Sequence, residues 1–150
     1  MDKIIHKAAQ LKCCPQRAFD LFSTKNCLES WLSIQAEVDV VAGGKYELFW
    51  DPKCKEDNST LGCRITAIEP TQFLSFEWRS PNCFKHFANE ADPLTHVVVF
   101  FIPTHEGTNI HLIHSGWRSS KEWEDARLWQ ERAWSVAFEK LVSYSNEYST

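Results

Sequence analysis

From Ser119 onward, apolar residues fall at a helical interval. Trp123, Ala126, Trp134, Ala137, Phe138, Leu141, Tyr144 and Tyr148 carry the stripe, with Gln130 and Ser145 as its polar members. The pattern runs for roughly thirty residues, about 40 Å of helix at ~1.5 Å per residue. Ser119 followed by Glu122 reads as a capping box at its start. A helix this long and one-sided must bury its stripe against another element. What precedes it supplies that element, because the period there is two.

Lys3 to Lys12 is the first strand candidate. Two short helices follow. Pro15 to Phe22 carries Ala18, Phe19 and Phe22 on one side, and a second helix capped by Asn26 runs through Ser33 with Leu28, Trp31 and Leu32 as its apolar face. Six strand candidates come next: Gln35 to Val40, Lys45 to Trp50, Gly62 to Ile68, Phe73 to Trp78, Thr95 to Ile102 and Asn109 to Ser115. Gly43-Gly44 and Glu69-Pro70-Thr71-Gln72 are turn signals, and Asp51 to Thr60 is a polar loop. Successive strands with short connections predict an antiparallel sheet, and the long helix covers one face of it. The expected class is α+β, a single domain over residues 1–150.

Composition excludes several roles. The longest uninterrupted apolar run, Val97 to Ile102, is far short of the roughly twenty residues of a membrane span. Met1 to Gln10 shows no signal-peptide core, which places the chain in the cytoplasm as an expectation. The net charge is −4 without a dense Lys/Arg cluster, so nucleic acid is not an expected partner. The six cysteines form no Cys-x-x-Cys and read as reduced thiols. Cys14 precedes Pro15 and so falls at a helix N-cap, a place that can activate a thiol, although an inert thiol is the favoured reading. Seven tryptophans and ten phenylalanines mean either an unusually bulky core or an aromatic-lined cavity.

Several residues together carry a resemblance. Pro15 and Phe19 open the first helix, and Trp31-Leu32 closes the second. Gly43-Gly44-Lys45-Tyr46 leads into a strand, Gly62 precedes one ending Ile68-Glu69-Pro70, and Phe76-Glu77-Trp78 ends the next. Gly107-Thr108 leads into the run Ile110 to Trp117, and Trp134, Phe138 and Leu141 mark the last helix. The set resembles the helix-grip fold of the START-related, birch-pollen-allergen-like superfamily. More narrowly it is similar to homologues of the C-terminal domain of the activator of heat-shock-protein-90 ATPase. The resemblance implies a curved antiparallel sheet of about seven strands wrapped on the long C-terminal helix, with two short helices after the first strand. It also implies small proteins with an internal cavity. The namesake stimulates a chaperone ATPase but carries a separate N-terminal domain, for which this chain has no room.

Chemistry-bearing patterns are few. The sequence contains no Gly-x-Ser-x-Gly, His-Glu-x-x-His or Gly-x-Gly-x-x-Gly. His111 and His114 are an odd number apart in a strand and so face opposite ways, which argues against a shared metal. No catalytic residue, metal or cofactor is expected. Parity groups Tyr46, Leu48, Trp50, Leu74, Phe76 and Trp78 on the face toward the helix, with Ile110, Leu112 and His114 beside them. Parity also groups Gly62, Arg64, Thr66 and Ile68, and the family pattern has an aliphatic residue where Arg64 stands. The expected site is therefore a cavity walled by Tyr46, Trp50, Trp78 and Trp134, with Arg64 and His114 as orienting polar contacts. Against this, Arg64 reaches solvent or pairs with Glu47 or Glu77, and His114 is a hydrogen-bonded core histidine. Phe84 and Phe87, in the loop Ser80 to Pro93, either cover the cavity mouth or pin the loop to the surface. Trp129 lies off the main stripe and is expected to be partly exposed.

The leading functional reading is binding of a small hydrophobic or amphipathic ligand between sheet and helix. A chaperone-interacting module is the alternative. A cyclase- or hydrolase-like enzyme using His114 as general base comes third. The expected assembly is a monomer or homodimer.

Overall fold

The computed structural model describes residues 3–147. Tyr148, the last member of the helical stripe, lies outside the described residues. Strand β1 (Ile5–Leu11) is followed by α1 (Pro15–Ser23) and α2 (Lys25–Trp31). Then come β2 (Gln35–Val38), β3 (Tyr46–Phe49), β4 (Ile65–Glu69), β5 (Phe73–Trp78), a single-turn α3 (Lys85–Ala88), β6 (Thr95–Thr104), β7 (Gly107–Ser115) and α4 (Lys121–Glu147). Every pairing is antiparallel. Five strands order as β1-β7-β6-β5-β4, and β2 pairs with β3. A bridge between Lys45 and Arg64 joins the two sets, so seven strands curve around α4.

The helix-grip arrangement follows from which side chains are apolar. Leu74, Phe76 and Trp78 of β5, Val97, Val99 and Phe101 of β6, and Ile110, Leu112 and His114 of β7 are all buried on one face. Against them α4 sets Ala126, Gln130, Trp134, Ala137, Phe138 and Leu141. The two polar members of the stripe are accommodated by hydrogen bonds. Gln130 Oε1 accepts from Trp78 Nε1, and Ser145 Oγ donates to the Val142 carbonyl.

Three local expectations are corrected. Helix α4 is capped by Ser120, whose Oγ accepts from the Trp123 N–H at 3.1 Å, one residue later than the Ser119–Glu122 box. Helix α2 has Thr24 rather than Asn26 at its N-cap. The loop after β5 is not wholly irregular, since it holds α3.

The fourth correction bears on function. A β-bulge between Ile65 and Ala67 interrupts the pairing of β4 with β5. An extra residue in one strand inverts the alternation beyond it. Ile65 and Ile68 therefore both turn toward the core, while Arg64 and Thr66 are exposed.

Candidate functional site

Helix α2, the ends of β3 and β5, and the middle of α4 do not close completely on one another. Between them lies a cavity of about 470 Å³. Its walls are mainly indoles: Trp31 from α2, Trp50 just past β3, Trp78 at the end of β5, and Trp134 from α4. Trp129, Val136 and Lys140, all exposed on α4, form its rim. The cavity is thus a half-open slot, not a sealed space.

The indoles are fixed by their own N–H groups. Trp31 Nε1 donates to the Leu21 carbonyl at 2.7 Å, and Trp50 Nε1 to the Leu32 carbonyl at 2.9 Å. Trp78 Nε1 donates to Gln130 Oε1 at 3.2 Å, and Trp134 Nε1 to His114 Nδ1 at 3.1 Å. The rings also brace one another. Trp78 lies tilted against Trp134 with centroids 5.0 Å apart, and edge-on to Trp50 at 6.0 Å. With all four indole N–H groups engaged inside the protein, what these rings offer a guest is aromatic surface.

The polar groups are placed differently from expectation. His114 is fully buried and does not line the cavity. An indole N–H can only donate, so His114 Nδ1 is the acceptor and Nε2 carries the proton, donating to Thr95 Oγ1 at 3.0 Å. Burial, with His96 nearby, pushes its pKa down to about 3. It is a neutral core histidine with both nitrogens engaged, and no substrate proton can reach it. The general-base reading loses its residue. Tyr46 is also fully buried, stacked on Phe76 at 3.9 Å and donating to the Phe22 carbonyl at 2.6 Å. It packs the core and does not touch the cavity.

Arg64 is on the outer face, its Nη1 donating to the Gly43 carbonyl at 2.8 Å. The bulge in β4 is why the parity argument aimed it inward. We expect Arg64→Leu to change stability by less than about 1 kcal/mol and to leave binding in the cavity unchanged, as urea unfolding and probe titration would show. The site residues that sequence reasoning brought to the cavity are therefore Trp50, Trp78 and Trp134.

Most of the other lining residues were not expected there, among them Trp31, Gln130 and Arg79. Trp31 belongs to the apolar face of α2 and also lines the slot. Gln130 looked like a blemish in the stripe. Its Oε1 is engaged by Trp78, while its Nε2 has no partner among the described residues. Arg79 follows Trp78 where the chain leaves β5, so strand parity gives no direction for it.

The loops beside the mouth are tied down. Asn58 and Asn82 exchange hydrogen bonds, each backbone N–H donating to the other's Oδ1 at 3.0 and 2.9 Å. Lys85 pairs with Asp57 at 3.0 Å. Phe84 packs edge-on against Trp129 and Phe87 against Trp123. Of the two readings of this loop, the pinned one describes the structure. Pro81, not either phenylalanine, contributes to the cavity wall.

Elsewhere, Cys14 occupies the N-cap of α1 with no side-chain capping bond. All six cysteines are free thiols. Among the described residues no helix is long and apolar enough to cross a membrane.

Comparison with known proteins gives a consistent picture. A family model described as "Activator of Hsp90 ATPase homolog 1-like protein" matches residues 12–146. The crystal structure of protein MLL2253 from Mesorhizobium loti superimposes with a TM-score of 0.78 at 19% identity, covering 99% of this chain and 100% of that one. Protein SSP2350 from Staphylococcus saprophyticus gives 0.74 at 14% identity, with 99% and 95% covered. The solution structure of the Aha1 dimer from Colwellia psychrerythraea gives 0.68 at 14% identity, with 93% of each chain covered. No curated protein matches in sequence. At these identities the structural likeness carries the fold and nothing finer.

Proposed function

The chain belongs to the family of activator of Hsp90 ATPase homolog 1-like proteins, and from that premise we propose that it is a binding protein for a small hydrophobic ligand. The observation that carries this reading is the slot of about 470 Å³ between sheet and long helix. Its size falls within the range of roughly 300–1,000 Å³ usual for small-molecule sites. Had Trp50, Trp78 and Trp134 met and filled that space, the aromatic surplus would have been explained as core. Instead the rings, braced against one another and fixed by hydrogen bonds to the backbone, to Gln130 and to His114, leave the slot open beside them. A flat aromatic or short aliphatic body in the slot would bury apolar surface that now faces solvent, chiefly that of half-buried Trp50 and of Trp129 and Val136 at the rim. The cavity is also what ranks ligand binding above chaperone contact, which rests on family membership alone.

Ala133 lines the slot from α4 and is the natural place to fill it. The neutral fluorescent probe N-phenyl-1-naphthylamine should bind the wild-type protein. Ala133→Trp, which projects an indole into the slot, should weaken that binding at least about tenfold with little effect on the unfolding midpoint. Unchanged probe affinity in the variant, or no binding by the wild type, would remove the slot as a binding site.

A further inference from the structure

Gln130 is the polar member of the α4 stripe that lines the slot. It is 4% exposed, so nearly all of the side chain is buried. Chemistry settles the orientation of its amide. An indole N–H can only donate, so the terminal atom that faces Trp78 Nε1 at 3.2 Å is the oxygen. Nε2, with two N–H donors, is turned away from that indole and has no hydrogen-bond partner among the described residues. Nor is it sealed from solvent. Among the described residues, the one buried side-chain polar atom that is both sealed and unpartnered is Arg79 Nε. Nε2 therefore keeps a small contact with open space, and the open space that Gln130 borders is the slot.

The other polar side chains of the lining are committed elsewhere. Asn58 Oδ1 accepts from the Asn82 N–H, and Ser59 Oγ donates to the Lys55 carbonyl. Lys140 is on the exposed rim. The Arg79 guanidinium lies beside Gly62, Cys63 and Asn89, none of which lines the slot. Gln130 Nε2 is thus a fixed donor in an otherwise aromatic interior. Its direction is set before any guest arrives, because Oε1 is held by Trp78 and Trp78 is braced by Trp50 and Trp134.

A donor in apolar surroundings is unfavourable unless an acceptor meets it. Resting on the ligand-binding reading above, we infer that the slot selects neutral aromatic compounds bearing a carbonyl oxygen, and that Gln130 Nε2 is the group that reads that oxygen. The apolar body lies along Trp50, Trp129 and Val136, and the carbonyl meets the amide. A carboxylate is disfavoured there, because one neutral donor among indoles does not repay the desolvation of a charge. A hydroxyl brings a donor of its own, and the indole walls hold no acceptor for it.

Two compounds with the same aromatic body test this, each displacing N-phenyl-1-naphthylamine from the slot. 2-Acetylnaphthalene carries a carbonyl where 2-ethylnaphthalene has a methylene. The hydrocarbon is the more hydrophobic, so a slot without a donor would prefer it. The wild-type protein should instead prefer the ketone by about threefold to tenfold. Gln130→Met, an apolar side chain of similar length, should reverse that order while binding the hydrocarbon within about threefold of wild type. In the wild type, the Gln130 side-chain amide resonances should shift on adding the ketone and much less on adding the hydrocarbon, a readout that needs no variant to fold. A wild type that binds the ketone no tighter than the hydrocarbon, equal loss of both in Gln130→Met, or a Gln130 amide indifferent to the ketone overturns the inference and leaves the slot standing as a binding site. Failure of N-phenyl-1-naphthylamine to bind, or binding that ignores Ala133→Trp, overturns the ligand-binding reading itself and this inference with it.

Discussion

Acidification from about pH 7 to about pH 4 is expected to cost the protein about 3 kcal/mol of stability through His114, at about 1.4 kcal/mol per pH unit. The direction follows from the structure. Folded His114 is sealed from solvent with its pKa pushed down to about 3, against the ordinary value of 6.5. Between those values the unfolded chain binds a proton at this residue and the folded protein does not. Protonation therefore favours unfolding, and the stabilisation present above pH 6.5 is lost as the pH falls toward 3. His96 acts in the same direction, its pKa lowered by partial burial and its Nε2 held by Thr66 Oγ1. Carboxylates such as Glu124, held at about 2 by Arg127 and Lys3, lose their contribution at lower pH, below their unfolded value of 4.5. The window from 6.5 to 4.5 thus belongs to the histidines. Urea unfolding across it should give a steep dependence in the wild type and a visibly shallower one in His114→Gln. The His114 ring resonances should report a neutral imidazole down to about pH 4. A His114 that titrates near 6 in the folded protein would contradict the burial and the two hydrogen bonds together.

The fold was legible because alternation and helical periodicity are local. Phe73–Trp78 was delimited correctly from Leu74, Phe76 and Trp78 sharing one side. The α4 stripe was recognised even with Gln130 and Ser145 in it, and both turned out to be buried. The site was less legible, because each miss depends on something alternation cannot carry. The bulge between Ile65 and Ala67 has no clear composition signal, and one inserted residue was enough to move Arg64 from the core side to solvent. Arg79 stands one residue beyond the end of β5, outside the alternation that defines the strand. His114 was placed correctly on the inner face, but which groups would meet its nitrogens depended on Trp134, twenty residues away, and on Thr95 across the sheet. Which indoles touch and which leave a gap is likewise set by the crossing of α2 and α4, which no single segment encodes. Trp129, placed off the stripe by its spacing, is 38% exposed and does lie at the rim.

Trp134 is where the cavity and the buried histidine meet, and removing it should have the largest effect of any single substitution at the site. Its indole is 1% exposed and packs against Trp78, His114 and Phe138. Trp134→Ala deletes that packing and should cost about 3–5 kcal/mol, the usual range for a buried aromatic. The consequence differs from an ordinary core deletion, because the vacated space adjoins the open slot. Water can enter it and reach His114 Nδ1, which has lost its donor. Hydration removes most of the burial penalty on the charged imidazolium, so the His114 pKa should rise from about 3 back toward 6.5. Trp134→Phe separates the two effects. It keeps a ring against Trp78 and still withdraws the N–H, so the stability loss should shrink to about 1–3 kcal/mol. The His114 pKa should stay low, because the ring continues to exclude water. Urea unfolding gives the energies, and the histidine resonances give the titration. A Trp134→Ala protein that loses less than about 1 kcal/mol would mean the indole is not packed as described. One that loses the full amount while His114 stays neutral at pH 5 would mean the slot and the histidine are sealed from each other even without the indole.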